Sequence, residues 1–373
     1  MDIDDLRRQA RRFLPRFVFD FLEGGAGDET CLQENLAALR NIRLWPSVLR
    51  DTSGIDTSIE VFGERWRLPF AVAPTGFNGL LRPDGDILIA RAAARAGVPF
   101  SLSTASNTRL EEVARQADGL RWLQLYVMGD RSIAEQIMRR GWDAGYRVLV
   151  LTVDVPVNGY RKRDIRNGFR LPFRPGLMTA LDLARHPRWI LQFAGRRFPN
   201  FANLSEHPDT AASAQVQAAL LNRTMDRTLA WESLSWVRAH WKGPVVVKGV
   251  LHPDDAARAV AEGADGIVVS NHGGRQLQSA PAAIEALPLV VERVDGAVPV
   301  FVDGGFRSGE DVAKALGRGA KAVFLGRPVL YGLAAAGEAG VDRVFDWLRE
   351  DLERTMILMG RRRIDELATG WRP

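Results

Sequence analysis

The run Ser270-Asn271-His272-Gly273-Gly274-Arg275-Gln276 sets a titratable base and a permanent cation three residues apart. It follows Gly266-Ile267-Val268-Val269, which reads as a buried parallel strand, and its two glycines mark a turn rather than more strand. His272 therefore stands at a strand's carboxyl end, where open α/β sheets and α/β barrels place their chemistry. Histidine exchanges a proton near neutral pH, and arginine clamps a carboxylate through two parallel hydrogen bonds. A base beside such a clamp points to chemistry next to a carboxylate. A lone histidine is more often a packing or capping residue, but the other four lack this setting. His186 and His207 lie in polar, proline-containing sequence, His240 near a helix end, and His252 beside Pro253.

Other strand ends carry matching groups. Asp303-Gly304-Gly305-Phe306-Arg307 and Gly326-Arg327-Pro328 each end an apolar run with glycine and arginine. Glycine lets backbone N–H groups approach an anion, and in α/β barrels the loops after the seventh and eighth strands commonly hold a phosphate. One Gly-Gly turn is weak evidence; two arginine-bearing turns at the two expected strands are much stronger. Lys248 interrupts the apolar Val245–Val250, where an unpaired ammonium is costly to bury, so it needs a negative partner. That partner is either a structural carboxylate or the delocalised negative charge of a ligand, and the phosphate-binding context favours the ligand. Asp154 closes Leu151-Thr152-Val153-Asp154, placed to orient the His272 ring and stabilise its protonated form. Arg161, shortly after, offers a second carboxylate donor.

The elements that must position these groups are short apolar runs with helical segments between them. Eight are candidate strands: Leu68 to Ala73, Phe100 to Thr104, Trp122 to Tyr126, Val148 to Val153, Val245 to Val250, Ile267 to Ser270, Val300 to Asp303 and Ala322 to Leu325. Glycine ends the preceding helix at Gly97, Gly145, Gly263 and Gly319, the expected αβ connection. Eight such units favour a (β/α)8 barrel over an open sheet. Residues 1–50 become a helical cover over one end, and the whole chain, 1–373, one domain.

About ninety residues separate the fourth and fifth candidate strands, far more than one helix needs. The excess is an insertion over 170–222. Its middle, Leu181 to Leu204, mixes Trp189, Ile190, Leu191, Phe193, Phe198 and Phe201 with Arg185, Arg188, Arg196 and Arg197, with almost no acid. Such a mixture suits a helix packed on its own barrel or on a neighbouring subunit, a segment lying in a membrane interface, or a disordered stretch.

Composition is that of an ordinary globular protein. A net charge of +5 is modest, and no Lys/Arg block of five or more occurs, which argues against nucleic acid as a partner. Cys31 is the single cysteine, so intramolecular disulfides and cysteine-based zinc sites are excluded, and no metal site is expected. The start, Met1-Asp2-Ile3-Asp4-Asp5, is acidic and leads into an arginine-rich helix, unlike a signal peptide. No uncharged stretch approaches the roughly 18 residues of a spanning helix. The expectation is a cytoplasmic protein, with the insertion as the means of peripheral contact with the inner face of the cell membrane.

The motif from Ser270 to Gln276, together with Phe19-Asp20-Phe21-Leu22-Glu23-Gly24-Gly25-Ala26 and the matching strand ends, resembles the FMN-dependent L-2-hydroxy acid oxidase and dehydrogenase family. That family includes glycolate and lactate oxidases, flavin lactate dehydrogenases and mandelate dehydrogenase. The segment Val157-Asn158-Gly159-Tyr160-Arg161-Lys162-Arg163-Asp164 and the basic insertion after it are most similar to the membrane-associated (S)-mandelate dehydrogenase branch. The resemblance implies that His272 is the active-site base and Asp154 its partner. It implies that Arg161, Arg275 and Tyr126 hold the substrate's carboxylate and hydroxyl, and that Lys248 stabilises negative charge on the reduced flavin. Pro74, Thr75, Gly76, Ser103, Gln124 and Thr152 would line the flavin ring, Asp303 its ribityl chain, and Gly304, Gly305, Arg307, Gly326 and Arg327 the phosphate. A homotetramer is also implied.

Two positions depart from the family. Phe21 replaces a tyrosine that usually donates to the substrate carboxylate, and Gln278 replaces the usual aspartate. Losing a hydrogen bond to a charged group costs about 1.5 to 3 kcal/mol if nothing replaces it. With the small Gly76 and Ala105, Phe21 favours an aryl or long-chain 2-hydroxy acid. The expected activity is oxidation of such an L-2-hydroxy acid to the 2-oxo acid, electrons passing through FMN to a membrane quinone or respiratory carrier. Alternatives are an oxygen-using oxidase that makes hydrogen peroxide, an FMN enzyme modifying an amine or peptide, and a catalytically dead membrane-peripheral barrel.

Overall fold

The structure is a computed structural model that describes residues 2–167, 176–196, 199–204 and 226–370. An antiparallel hairpin, β1 (Ile59–Val61) and β2 (Glu64–Trp66), comes before a closed barrel of parallel strands. The barrel strands are β3 (Phe70–Val72), β4 (Phe100–Leu102), β5 (Arg121–Leu125), β6 (Val148–Thr152), β7 (Val245–Val250), β8 (Gly266–Val269), β9 (Val300–Asp303) and β10 (Ala322–Leu325). They pair in chain order, and β10 closes on β3 with Leu325 opposite Val72. All eight expected strands are present. The hairpin was not foreseen.

Alternation along the strands explains what the barrel holds. Phe70, Val72, Leu123, Leu125, Leu149, Leu151, Val300 and Val302 belong to the apolar layer beneath the helices. The intervening Ala71, Trp122, Val148, Val150, Val246, Val268, Phe301 and Phe324 form a separate cluster inside the barrel. Two residues further along each strand the same inward register reaches Gln124, Thr152, Lys248, Ser270 and Asp303, all buried. The interior therefore turns from apolar to polar toward the carboxyl ends. At the opposite end the hairpin inserts Trp66, fully buried, against Trp122 (5.4 Å between ring centroids) and Phe301 (6.2 Å).

The cover is α1 (Ile3–Phe13), α2 (Arg16–Glu23) and α3 (Thr30–Asn41). Asp2 and Asp5 form a capping box at the start of α1. The cover is tied to the polar end of the barrel: Asn35 of α3 and Asn271 exchange side-chain amide hydrogen bonds at 3.0 and 2.9 Å. Gln278, one of the two departures, accepts from the Asp28 N–H (2.7 Å), while Cys31 N–H donates to its carbonyl (3.1 Å). It thus anchors the turn into α3.

Parts of the insertion expected over 170–222 are described. Trp189 is buried, donates to the Leu80 carbonyl (3.0 Å) and meets Phe17 edge-on at 5.9 Å. Phe201 is also buried, whereas Met178, Leu181, Ile190 and Leu191 are exposed. Trp189 and Phe201 thus follow the packed alternative, while the other apolar side chains face outward. Arg197, Phe198, residues 168–175 and residues 205–225 lie outside the described residues. Among the described residues no helix is long and apolar enough to cross a membrane.

Candidate active site

At the carboxyl ends of the strands lies a cavity of about 760 Å³, in the range of small-molecule and cofactor sites. The loop after β8 delivers the base. His272 has φ of +57°, followed by Gly273 at +63° and Gly274 at +76°, so three successive residues turn left-handed. For histidine this is strained backbone, of the kind that collects at functional sites. It is held because the His272 N–H donates to Ser270 Oγ (3.0 Å), which also accepts from Lys248 Nζ (2.8 Å). One serine oxygen thereby fixes the base relative to the buried ammonium.

The His272 ring places Nδ1 at 3.0 and 3.1 Å from the two oxygens of Asp154. A proton held there leaves Nε2 as the lone-pair nitrogen. Partial burial of Asp154 opposes its ionisation; His272 and then Lys248 outweigh that and hold its carboxyl below the usual range. Room for Asp154 comes from Gly249, at φ +104°, where a Cβ would lie 2.6 Å from the Asp154 Cγ. Gln276 staples this strand end to the catalytic loop, donating to the carbonyls of Asp154 (2.7 Å) and Val157 (2.9 Å).

Arg275 is partly buried and donates to the carbonyls of Phe21 and Gly24, both at 2.8 Å. Among the described residues no carboxylate pairs with it. Burial, then Arg161 and Arg327, pull its pKa well below the ordinary value, and Asp164 offsets them only in part. Arg161 sits 3.7 Å from Asp164, whose own carboxyl is pushed up chiefly by burial. Burial, then Asp154, also raises the Tyr126 hydroxyl, keeping it a neutral hydrogen-bonding group. Arg161, Arg275, Tyr126 and His272 all line the same cavity.

Lys248 has a resident carboxylate partner that the sequence reading ranked second: its Nζ is 2.8 Å from Asp303 Oδ2. Burial works against its charge, but Asp303 and Asp154 more than compensate and raise its pKa. Among the described residues the other Asp303 oxygen, Oδ1, and Arg327 Nε are buried with no hydrogen-bond partner. Arg327 reaches the carbonyls of Gly273 (2.9 Å) and Gly24 (3.0 Å). Gly304 (φ +98°) and Gly305 (φ +93°) follow β9, and a Cβ on Gly305 would stand 2.6 Å from the Asn35 carbonyl oxygen. The helix Arg327–Ala336 begins directly after β10, so its unpaired N–H groups adjoin these turns.

An orphaned acceptor, an orphaned guanidinium nitrogen, two left-handed glycines and a helix start fit a ligand with hydroxyls and a phosphate. Deeper in, Gln124 Nε2 donates to Thr152 Oγ1 and Ser103 Oγ donates to Gln124 Oε1, each at 3.1 Å. With Pro74, Thr75 and Gly76 lining the same wall, this is a polar floor suited to a heteroaromatic ring. Every residue expected at the site is therefore at this end of the barrel. Ser270, Asn35, Asn271 and Gln276 were not assigned roles from sequence. Ser270, Asn271 and Gln276 lay inside the motif, whereas nothing local marks Asn35.

Barrel, cavity and base define an α/β-barrel enzyme whose site fits a phosphate-bearing cofactor. A family model described as FMN-dependent dehydrogenase matches residues 10–371. (S)-mandelate dehydrogenase of Pseudomonas putida is 46% identical over 359 residues, 96% of this chain and 90% of the relative. L-lactate dehydrogenase of Ectopseudomonas mendocina (strain ymp) is 40% identical over 98% of this chain and 96% of its own length. A crystal structure of the monotopic membrane protein (S)-mandelate dehydrogenase superposes with a TM-score of 0.95 at 45% identity, over 98% of this chain and 97% of that one. A mandelate oxidase structure with (S)-4-hydroxymandelic acid gives 0.87 at 42% identity, over 98% and 97%. The chain belongs to the FMN-dependent dehydrogenase family, and FMN is its cofactor.

Proposed function

We propose that the protein oxidises an L-2-hydroxy acid with an aryl or long apolar side chain to the 2-oxo acid, as one enzyme domain over 1–373. Support comes chiefly from the partly buried Arg275, which forms no ion pair with a carboxylate among the described residues and lines one cavity with His272, the partner of Asp154. Arg275, Arg161 and Tyr126 hold the substrate's carboxylate and hydroxyl. His272 Nε2 accepts a proton, either from the hydroxyl as hydride departs or from the α-carbon. Asp154 stabilises the resulting imidazolium and fixes the ring. Lys248, held by Asp303 and Ser270, provides a fixed positive charge where negative charge accumulates during reduction. Bound FMN supplies the two-electron acceptor. Gly304, Gly305, Arg307, Gly326 and Arg327 hold its phosphate, Asp303 Oδ1 its ribityl hydroxyls, and Pro74, Thr75, Gly76, Ser103, Gln124 and Thr152 its ring.

The substrate preference follows from Phe21, whose ring meets Phe77 edge-on at 5.7 Å and carries Arg275 over its face at 5.1 Å. The position offers no hydroxyl and presents an apolar surface. Anaerobic mixing of the FMN-loaded protein with L-mandelate, L-lactate and glycolate, followed by flavin absorbance, tests the reading. Bleaching is expected fastest with mandelate, and no bleaching with any of the three would refute it.

The electron acceptor is a membrane quinone or another respiratory carrier, reached by peripheral contact at the inner face of the cell membrane. The outward Met178, Leu181, Ile190 and Leu191 support that contact. Replacing Ile190 and Leu191 with glutamate should release the protein from membranes without changing substrate-driven bleaching. Oxygen is the second reading, favoured by the likeness to mandelate oxidase; stoichiometric peroxide under air would establish it. The assembly is a homotetramer, checked by light scattering.

A further inference from the structure

We propose that Phe201, carried by the insertion rather than by the barrel, determines substrate specificity: with Phe77 and Phe21 it encloses the substrate's side chain. This rests on the aryl reading given above. The three rings line the same cavity as His272 and Arg275. Phe201 and Phe77 meet edge-on with centroids 4.7 Å apart, and Phe77 meets Phe21 at 5.7 Å. Edge-to-face contacts of this kind extend readily to a further aromatic ring.

The placement of Phe201 is built, not incidental. Ala202 N–H donates to the Ser106 carbonyl (3.1 Å), and the Asn107 side chain donates to the Asn200 carbonyl (2.7 Å). Buried Asn203 accepts from Leu110 N–H (2.8 Å) and donates to the Thr108 carbonyl (3.2 Å), and Arg140 donates to the Asn203 carbonyl (3.2 Å). Five bonds thus fasten 200–203 to the segment after β4 that also carries Ser103 and Ala105 of the cavity wall, and to the helix Arg131–Asp143. Phe77 is fixed as firmly, in a left-handed conformation at φ +61° that a non-glycine residue adopts at a cost. Strained backbone at one ring and a bonded strap behind the other indicate that the aromatic faces are presented to a ligand. The segment that turns Ile190 and Leu191 outward therefore also completes the pocket.

The test uses the FMN-loaded protein and its Phe201→Ala and Phe201→Leu variants. Turnover of (S)-mandelate and L-lactate is measured, together with binding of phenylacetate, a ring-bearing acid without the hydroxyl, from its perturbation of the flavin spectrum. Phe201→Ala should lower kcat/KM for mandelate and weaken phenylacetate binding about tenfold, leaving lactate within about twofold, because only the ring-bearing acids lose an aromatic contact. Phe201→Leu, which keeps an apolar side chain, should fall between and carries the comparison if the alanine variant does not fold. A wild-type protein that oxidises lactate but not mandelate overturns the aryl reading and this inference with it. Wild-type activity on mandelate, with the mandelate-to-lactate ratio unmoved in both variants, overturns the role of Phe201 alone.

Discussion

The two ends of the barrel are made by the same strands and differ in what their inward positions hold. At the amino end Trp66, Trp122 and Phe301 fill the interior, with Trp122 6.0 Å from Phe301. At the carboxyl end the same register presents Gln124, Thr152, Lys248, Ser270 and Asp303. Aromatic packing at the first end stabilises a closed barrel, which in turn holds a buried ammonium, two partly buried guanidinium groups and a strained histidine at the second. Stability and chemistry are therefore separated by about two residues along each strand, and substitutions at the two ends should have opposite signatures.

The largest effect expected is on chemistry. His272→Ala should slow substrate-driven flavin bleaching by roughly 10² to 10⁴-fold, the range for loss of a general base. FMN content and the urea midpoint should stay close to wild type. A normal bleaching rate in this variant would mean that the polar end does not act through His272.

Trp66→Ala is the mirror image. Loss of a fully buried tryptophan costs about 3 to 5 kcal/mol of stability, read as a lower urea midpoint at unchanged slope. Per folded, FMN-loaded molecule, kcat should be unchanged. A proportionate fall in kcat would show that the plugged end tunes the site, and the separation would fail.

How much of this contrast the sequence carries differs by element. Barrel strands buried on both faces read as continuous apolar runs, so Val245–Val250 and Val300–Asp303 are legible to the residue. Each hairpin strand is only three residues long, and the turn runs through Phe62 (φ +51°) and Gly63 (φ +76°) without an Asn-Gly or Asp-Gly signal. His272, Asp154 and Arg275 are legible because residue type and strand-end position coincide. The Lys248–Asp303 pair and the Asn35–Asn271 exchange are not, since each depends on residues distant in sequence brought together only by barrel closure and docking of α3. The insertion was ambiguous for a related reason: aromatics mixed with arginine suit either a membrane or a barrel surface. Only the strap at 200–203 shows that Phe201 turns inward.

Arg275→Lys sharpens the comparison within the polar end. Lysine keeps the charge but not the planar fork that reaches the Phe21 and Gly24 carbonyls while facing a carboxylate. The change should raise KM more than it lowers kcat and weaken phenylacetate binding, with a loss on the order of 1.5 to 3 kcal/mol for a hydrogen bond to a charged group. Equal effects on KM for acids and on binding of the corresponding alcohols would remove Arg275 from the carboxylate site.

The smallest effect separates two carboxyls that follow β6, Asp154 and Asp164 of the helix Lys162–Arg166, by the sign of their pH dependence. Asp154 is held below the usual carboxylate range, with His272 and Lys248 overcoming burial. Its contribution to stability is therefore complete above the unfolded value of about 3.9 and is lost as pH falls through the lower folded value. Asp164 is pushed up, burial outweighing Arg161 and Arg275. Its proton is bound more tightly in the folded state, so that contribution is complete below the unfolded value and is lost as pH rises through the folded one. Urea midpoints from pH 3 to 7 should show Asp164→Asn flattening a decline just above pH 4 and Asp154→Asn flattening a rise below it. Identical profiles in the two variants would mean that the cations of the site do not distinguish the carboxyl that orients the base from the one beside the clamp.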